Sequence, residues 1–330
     1  MNENLSIVEK TTNSLDKRLL VIRYSALFTD QSDNPKDKER MAQLVFSLMT
    51  LRDFVLPYVN YQIVIYTTED FKDRLQEIFY LLEIAKFELI LLDNQNDIDF
   101  SESINRCSLV DRICIRRMLA DFRELPTNSF RLLLGNDIYF LSIPHEIISY
   151  TWNFDPETKV LYMIDDFFFR TKPYRLTYYR GNILEGLLGD FYCLAPGIEL
   201  SRDSIKSALK IIDGWPPYRR WEPELPRNMT KVVHACEQQA AAMLLGNFPA
   251  KCLPKSFFNN CVASKKCVVL HSGQPWRNIA LGEIPRKIAE QAMSLWSNLG
   301  LIDCVNLARS EVRLSFYQSA KNSLWVKFRR

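Results

Sequence analysis

Histidine is scarce, with three in 330 residues, which limits histidine-rich metal sites. The eight cysteines form no CxxC pair. The spacing of a zinc site is missing, and reduced core cysteines are expected instead. No GxGxxG follows the first strand-like run. Arg23-Tyr24-Ser25 stands there, which disfavours dinucleotide binding through a glycine-rich fingerprint. Charge of one sign is lacking as well: the formal net charge is +3, and no long basic tract appears, so no nucleic-acid partner is expected. No apolar run reaches the length of a membrane span. Residues 1–18 are polar, without the apolar centre of a signal peptide, and read as a flexible leader. A cytoplasmic location is expected.

What is present is a chain rich in apolar and aromatic residues, long enough to bury a large core. Leu19 to Ile22 reads as a strand. Met41, Leu44, Val45, Leu48 and Leu51 recur at helical spacing up to Pro57. Tyr61 to Tyr66 is a β-branched and aromatic strand, followed by a helix from about 71 to 82 and a strand over 87–92. Strand and helix alternating three times predict a mainly parallel sheet flanked by helices. A longer helix, Arg106 to Leu125, carries several arginines. After it comes FRLLLGNDIYF, Phe130 to Phe140. There an apolar strand stops at Gly135-Asn136-Asp137, and ligands of open α/β sheets sit beyond such carboxyl edges. The same three residues would also serve an ordinary turn.

Further strand ends and helices add polar groups. Val160 to Ile164 is a strand ending in Asp165-Asp166. Asp190 interrupts apolar runs in Leu187 to Tyr192. Glu237-Gln238 lies in the helix Val232 to Leu245. Cys267 to Leu270 is a short strand that ends in His271-Ser272-Gly273-Gln274-Pro275-Trp276-Arg277. A carboxylate and an imidazole from separate strands can together hold one divalent ion such as Mg²⁺ or Mn²⁺. A Trp- and Arg-rich stretch from Gly214, and a basic, aromatic end from Val312, are compatible with peripheral membrane contact.

In this order the features resemble the GT-A fold glycosyltransferases, and among them the retaining type of glycogenin and the lipopolysaccharide galactosyltransferases. The resemblance implies an α/β, Rossmann-like catalytic domain over residues 19–280, with residues 281–330 as a C-terminal helix and extension packed on it. It implies a nucleotide-diphosphate sugar as donor and a saccharide, lipid-linked glycan or protein hydroxyl as acceptor, with a Mn²⁺ or Mg²⁺ cofactor. Tyr24 and Ser25 would meet the nucleotide, and Arg116 the substrate. Gly135-Asn136-Asp137 fills the Asp-x-Asp position, so Asp137 and His271 would hold the metal, with Asn136 beside them at the donor. Asp190, Glu237 and Gln238 would stand at the sugar as catalytic groups. The stretch His271-Ser272-Gly273-Gln274-Pro275-Trp276 resembles a His-x-x-Gly-x-x-Lys-Pro-Trp motif in shortened form, so Gly273, Gln274 and Trp276, with Arg277 nearby, would meet the donor.

Two departures bear on activity. Gly135 replaces the first aspartate of the motif, and Gln274 replaces its lysine, with Arg277 near enough to supply a charge. These departures motivate an alternative, a nucleotide-sugar-binding protein with weakened catalysis. A nucleotidyltransferase-like α/β enzyme is the other alternative, because it shares the same nucleotide-binding logic.

Overall fold

The computed structural model of the protein describes residues 18–27, 35–92, 109–164, 181–213, 236–254, 258–260, 267–303, 305–306 and 310. Eight helices and ten strands are numbered here in chain order among these residues. The helices are α1 (Pro35–Phe54), α2 (Glu69–Leu81), α3 (Leu109–Glu124), α4 (His145–Trp152), α5 (Arg202–Asp213), α6 (Cys236–Leu245), α7 (Pro275–Ala280) and α8 (Arg286–Asn298). The strands are β1 (Leu19–Ala26), β2 (Asn60–Thr67), β3 (Phe87–Leu91), β4 (Phe130–Leu134), β5 (Ile138–Phe140), β6 (Val160–Ile164), β7 (Leu187–Leu194), β8 (Ala250–Cys252), β9 (Phe258–Asn260) and β10 (Val269–His271).

The main sheet has seven strands in the order β3-β2-β1-β4-β7-β6-β8. Every neighbouring pair is parallel except those made by β7, which runs against both β4 and β6. The mainly parallel α/β sheet predicted from the strand–helix alternation is therefore the one observed. The reversal of β7 has a consequence for the site. Its first residues, not its last, lie at the carboxyl edge of β1 and β4, with Phe191 opposite Leu134.

Strand alternation sorts the core into two layers. Leu20, Ile22 and Tyr24 of β1 share one cluster with Leu132 and Leu134 of β4 and the apolar residues of α1 and α8. Val21 points the other way, into a cluster with Ala120 and Leu125 at the end of α3. Leu133 joins Ile115 and Met118 of α3 and the small residues of α6. A strand covered on both faces reads as a continuous apolar run, as β1 and β4 do.

Helix α1 is buried nearly all round, from Met41 to Leu51, because it is enclosed on more than one side. One neighbour is a second, three-stranded sheet, β5-β10-β9. The Ser47 hydroxyl donates to the carbonyl of Ile138 at 2.5 Å, and the Thr50 hydroxyl accepts from the Phe140 N–H at 3.1 Å. On the other side the Trp296 indole N–H of α8 donates to the carbonyl of Ala42 at 2.9 Å. The small sheet is thereby pinned to α1. It extends beyond β4 and carries the chain away from the carboxyl edge. Among the described residues no helix is long and apolar enough to cross a membrane.

Candidate active site

The site grows from one turn. β4 ends at Leu134 and β5 begins at Ile138, so Gly135, Asn136 and Asp137 bridge the two sheets. The Ile138 N–H returns to the Gly135 carbonyl at 3.3 Å, which closes the turn. β10 pairs antiparallel with β5, and its register sets His271 opposite Ile138. Next to this pair the Ser272 N–H donates to the Asp137 carbonyl at 3.0 Å. The two side chains thus meet: His271 Nε2 lies 3.2 Å from Asp137 Oδ2. β7 supplies the third group. Gly135 N–H donates to the carbonyl of Asp190 at 2.8 Å, and this locks Asp190 beside the turn.

Asp137, Asp190 and His271 each offer a ligand atom, and these atoms all lie within 4.8 Å of one another. All three are partly exposed. Two carboxylates and an imidazole fit a divalent ion of the Mg²⁺ to Mn²⁺ range. One further feature of the turn agrees with an anchored ligand. Asn136 Nδ2 donates to the Ser25 carbonyl at 2.7 Å, while its Oδ1 is buried with no hydrogen-bond partner. That orphan oxygen is an acceptor without a donor. Gly135 lets Asp190 pack close against the turn: a Cβ there would stand 2.8 Å from Asp190 Cβ and 3.0 Å from Asp137 Oδ1.

Charge around the site is balanced from beneath. Burial pushes the Asp137 carboxyl upward, but the adjacent His271 imidazole, which also hydrogen-bonds it, and Arg117 outweigh burial and hold it below the ordinary aspartate value. Arg117 of α3 places both terminal guanidinium nitrogens 3.4 Å from Asp190 Oδ1. Four residues on, and so on the same helix face, Asp121 makes a bidentate pair with Arg23 of β1, at 2.7 Å through Nε and 2.9 Å through a terminal nitrogen. Arg23 also donates to the Leu134 carbonyl at 3.1 Å. The last residue of β4 is therefore tied to a buried ion pair immediately before the turn.

Several residues chosen from the sequence stand elsewhere. Tyr24 was expected at the nucleotide, but it is fully buried with its hydroxyl 2.9 Å from the Ser47 hydroxyl. The strand runs on to Ala26, and alternation turns Tyr24 under α1. Trp276 was expected at the donor, and it is 1% exposed in the main core. Its position in the first turn of α7 faces that helix inward. Arg116, the expected substrate arginine, instead donates to the Leu92 carbonyl at 3.4 Å, and its neighbour Arg117 is the arginine that reaches Asp190.

Gln238 is buried and its side-chain amide donates to the Leu187 carbonyl at the start of β7. Ser25 lends its carbonyl to Asn136. Gly273 is exposed, and its carbonyl accepts from Gln43 Nε2 at 2.6 Å. Gln274 is exposed, and the half-buried Arg277 lies in the first turn of α7. The side chain of Glu237, the acids Asp165 and Asp166, and the stretches from Gly214 and Val312 lie outside the described residues.

Sequence reasoning preferred Arg116 to its neighbour Arg117, and it gave no role to Asp121 or Arg23. One signal was legible: an arginine in the apolar strand LLVIRYSA must be paired if it is buried. Its partner had to come from a remote acid, which no local pattern identifies.

Comparison with solved structures places this architecture. The galactosyltransferase LgtC, in complex with donor and acceptor sugar analogues, superposes with a TM-score of 0.56 at 12% identity, covering 85% of this chain and 99% of that one. An active-site variant of LgtC gives a TM-score of 0.52 at 11% identity, covering 85% and 95%. The protein therefore has the GT-A fold. A scan against family models finds no match, and a search of curated proteins finds none either.

Proposed function

We propose that the protein is a glycosyltransferase that moves a sugar from a nucleotide-diphosphate donor to an acceptor hydroxyl, with retention at the anomeric carbon. The observation that carries this reading is the meeting of Asp137, Asp190 and His271 in a GT-A fold, beyond the carboxyl ends of β1 and β4. Ligands of open α/β sheets occupy that place. The fold also matches that of a galactosyltransferase whose structure contains donor and acceptor sugar analogues.

Asp137 and His271 would hold a divalent cation, Mn²⁺ or Mg²⁺. When bound, such an ion neutralises charge on a diphosphate. The chain's own residues do the remaining work. The turn, tied through Leu134 to Arg23 and through Asn136 to Ser25, keeps Asp137 in place without reorganisation. Preorganisation of this kind is the main source of electrostatic catalysis. Arg277 of α7 supplies positive charge for the donor, Arg117 holds the Asp190 carboxylate, and the unpaired Asn136 oxygen accepts from a ligand N–H or O–H. Gln238 fixes the start of β7, and through it Asp190. In the reaction the bond between the anomeric carbon and the diphosphate oxygen breaks, and a bond to the acceptor oxygen forms on the same face. The acceptor proton passes to the departing phosphate oxygen, so no separate strong base is required.

The test is a panel of nucleotide-diphosphate sugars, with and without Mn²⁺, read by thermal stabilisation and by release of nucleoside diphosphate. One donor is expected to stabilise the protein in Mn²⁺ and to be consumed, and Asp137→Ala should abolish both effects. Undiminished turnover in that variant would remove Asp137 from the site. Failure of every donor to bind or react overturns the assignment.

A further inference from the structure

In an Asp-x-Asp turn the first and third residues both carry carboxylates. Here the first position is Gly135, which by itself halves the acidic character of the turn. The structure shows where the missing carboxylate has gone. Asp190 lies across from Gly135 on β7, held by the 2.8 Å bond from Gly135 N–H to its carbonyl. Its Cβ and Cγ fill the space that a side chain at position 135 would need, since a Cβ on Gly135 would stand 2.8 Å from one and 3.0 Å from the other. Contacts below 3.0 Å are tighter than close-packed interiors accept. In this conformation a side chain at 135 collides with the one at 190, so one of them must move to admit the other.

We propose that Asp190 is the relocated second carboxylate of the cation site, delivered from the antiparallel strand β7 instead of from the turn. This deepens the glycosyltransferase reading and rests on it for the identity of the site. Three features agree. Asp190 offers an oxygen within 4.8 Å of the ligand atoms of Asp137 and His271. Its carboxylate is aimed from the other side by Arg117, whose two nitrogens sit at 3.4 Å from Oδ1, which leaves Oδ2 for an ion. The exchange also explains the glycine: it is the residue that admits Asp190, not a lesion in the motif. Arg117 is then a positioning residue, acting on the ion through Asp190.

The experiment is Mn²⁺ binding to the full chain without any donor, read by electron paramagnetic resonance of the free ion, with circular dichroism as a check on folding. Asp190→Asn keeps the shape and the contact with Arg117, and should weaken Mn²⁺ on the order of 10-fold or more, as loss of a site-defining group does. Gly135→Asp alone should not tighten binding. Gly135→Asp combined with Asp190→Gly moves the carboxylate back to the turn and should recover most of the affinity lost in Asp190→Gly. The proposal is overturned if Asp190→Asn binds Mn²⁺ as the wild type does while Asp137→Ala does not. It is equally overturned if Gly135→Asp alone binds more tightly, if the combined variant recovers nothing while remaining folded, or if the wild type takes up no Mn²⁺. In that last case donor turnover without metal would leave the transfer reading standing, so the two failures are distinguishable.

Discussion

Replacing Arg23 by methionine tests the support under the active-site turn. Arg23 and Asp121 are each 1% exposed, and the pair is held by contacts of 2.7 and 2.9 Å. Methionine keeps the bulk of the stem but removes the ion-pair partner of the buried Asp121 carboxylate, leaving it Tyr66 and the charge of Arg117. Removing one partner of a buried pair costs about 3–5 kcal/mol, because the other charge is left desolvated. The Leu134 carbonyl loses its donor too. Arg117 also draws the Asp121 charge, which argues for the lower half of that range.

Urea denaturation at neutral pH should show this loss. Arg23→Met combined with Asp121→Leu should restore much of it, since an apolar replacement of a whole buried pair is often near neutral. The pH dependence has a definite sign. Burial raises the Asp121 carboxyl even in the wild type, with Arg23 and Arg117 pulling it down, and loss of Arg23 raises it further. An acid whose folded value lies above its unfolded one, near 4, costs stability as pH rises from the unfolded to the folded value. The deficit of Arg23→Met should therefore shrink as pH falls toward about 4. A loss below roughly 1 kcal/mol at neutral pH, or a double variant no better than the single one, would refute the reasoning.

Two further outcomes follow from packing alone. Trp296→Ala empties a fully buried indole and removes its bond to the Ala42 carbonyl. It should cost about 3–5 kcal/mol in denaturation, and a cost under roughly 1 kcal/mol would show that α8 does not anchor α1. Cys193 is fully buried in β7, and burial pushes its thiol far above the ordinary value. It should resist iodoacetamide in the native protein at neutral pH, with half-buried Cys252 labelled before it. Mass-spectrometric detection of early labelling at Cys193 would contradict the burial.

Much of the scaffold was readable before any tertiary contact was known. β2, β3 and β6 stand within about a residue of the runs that suggested them, and α2 starts and stops near its expected limits. Local signals suffice there: apolar period, β-branched content and proline stops. The turn at Gly135-Asn136-Asp137 was legible for the same reason. Choices between neighbours were not. Arg116 and Arg117 differ by about 100° around α3, and only the packing of that helix decides which one faces β7. Tyr24 read as following a strand that stops at Ile22, yet β1 continues to Ala26 and alternation buries the ring. Trp276 sits in a motif-like stretch, but the short helix α7 turns it into the core.

The sequence by itself determined the α/β class, the parallel order of the first strands and the carboxylate-bearing turn, because each depends on residues close together in the chain. Only the tertiary structure decided what that turn does. The pairing of β10 with β5 sets His271 beside Asp137, and the reversed course of β7 sets Asp190 against Gly135. Strand register between segments more than fifty residues apart is a property of the assembled sheets. No local pattern encodes it, and the site exists only where those registers meet.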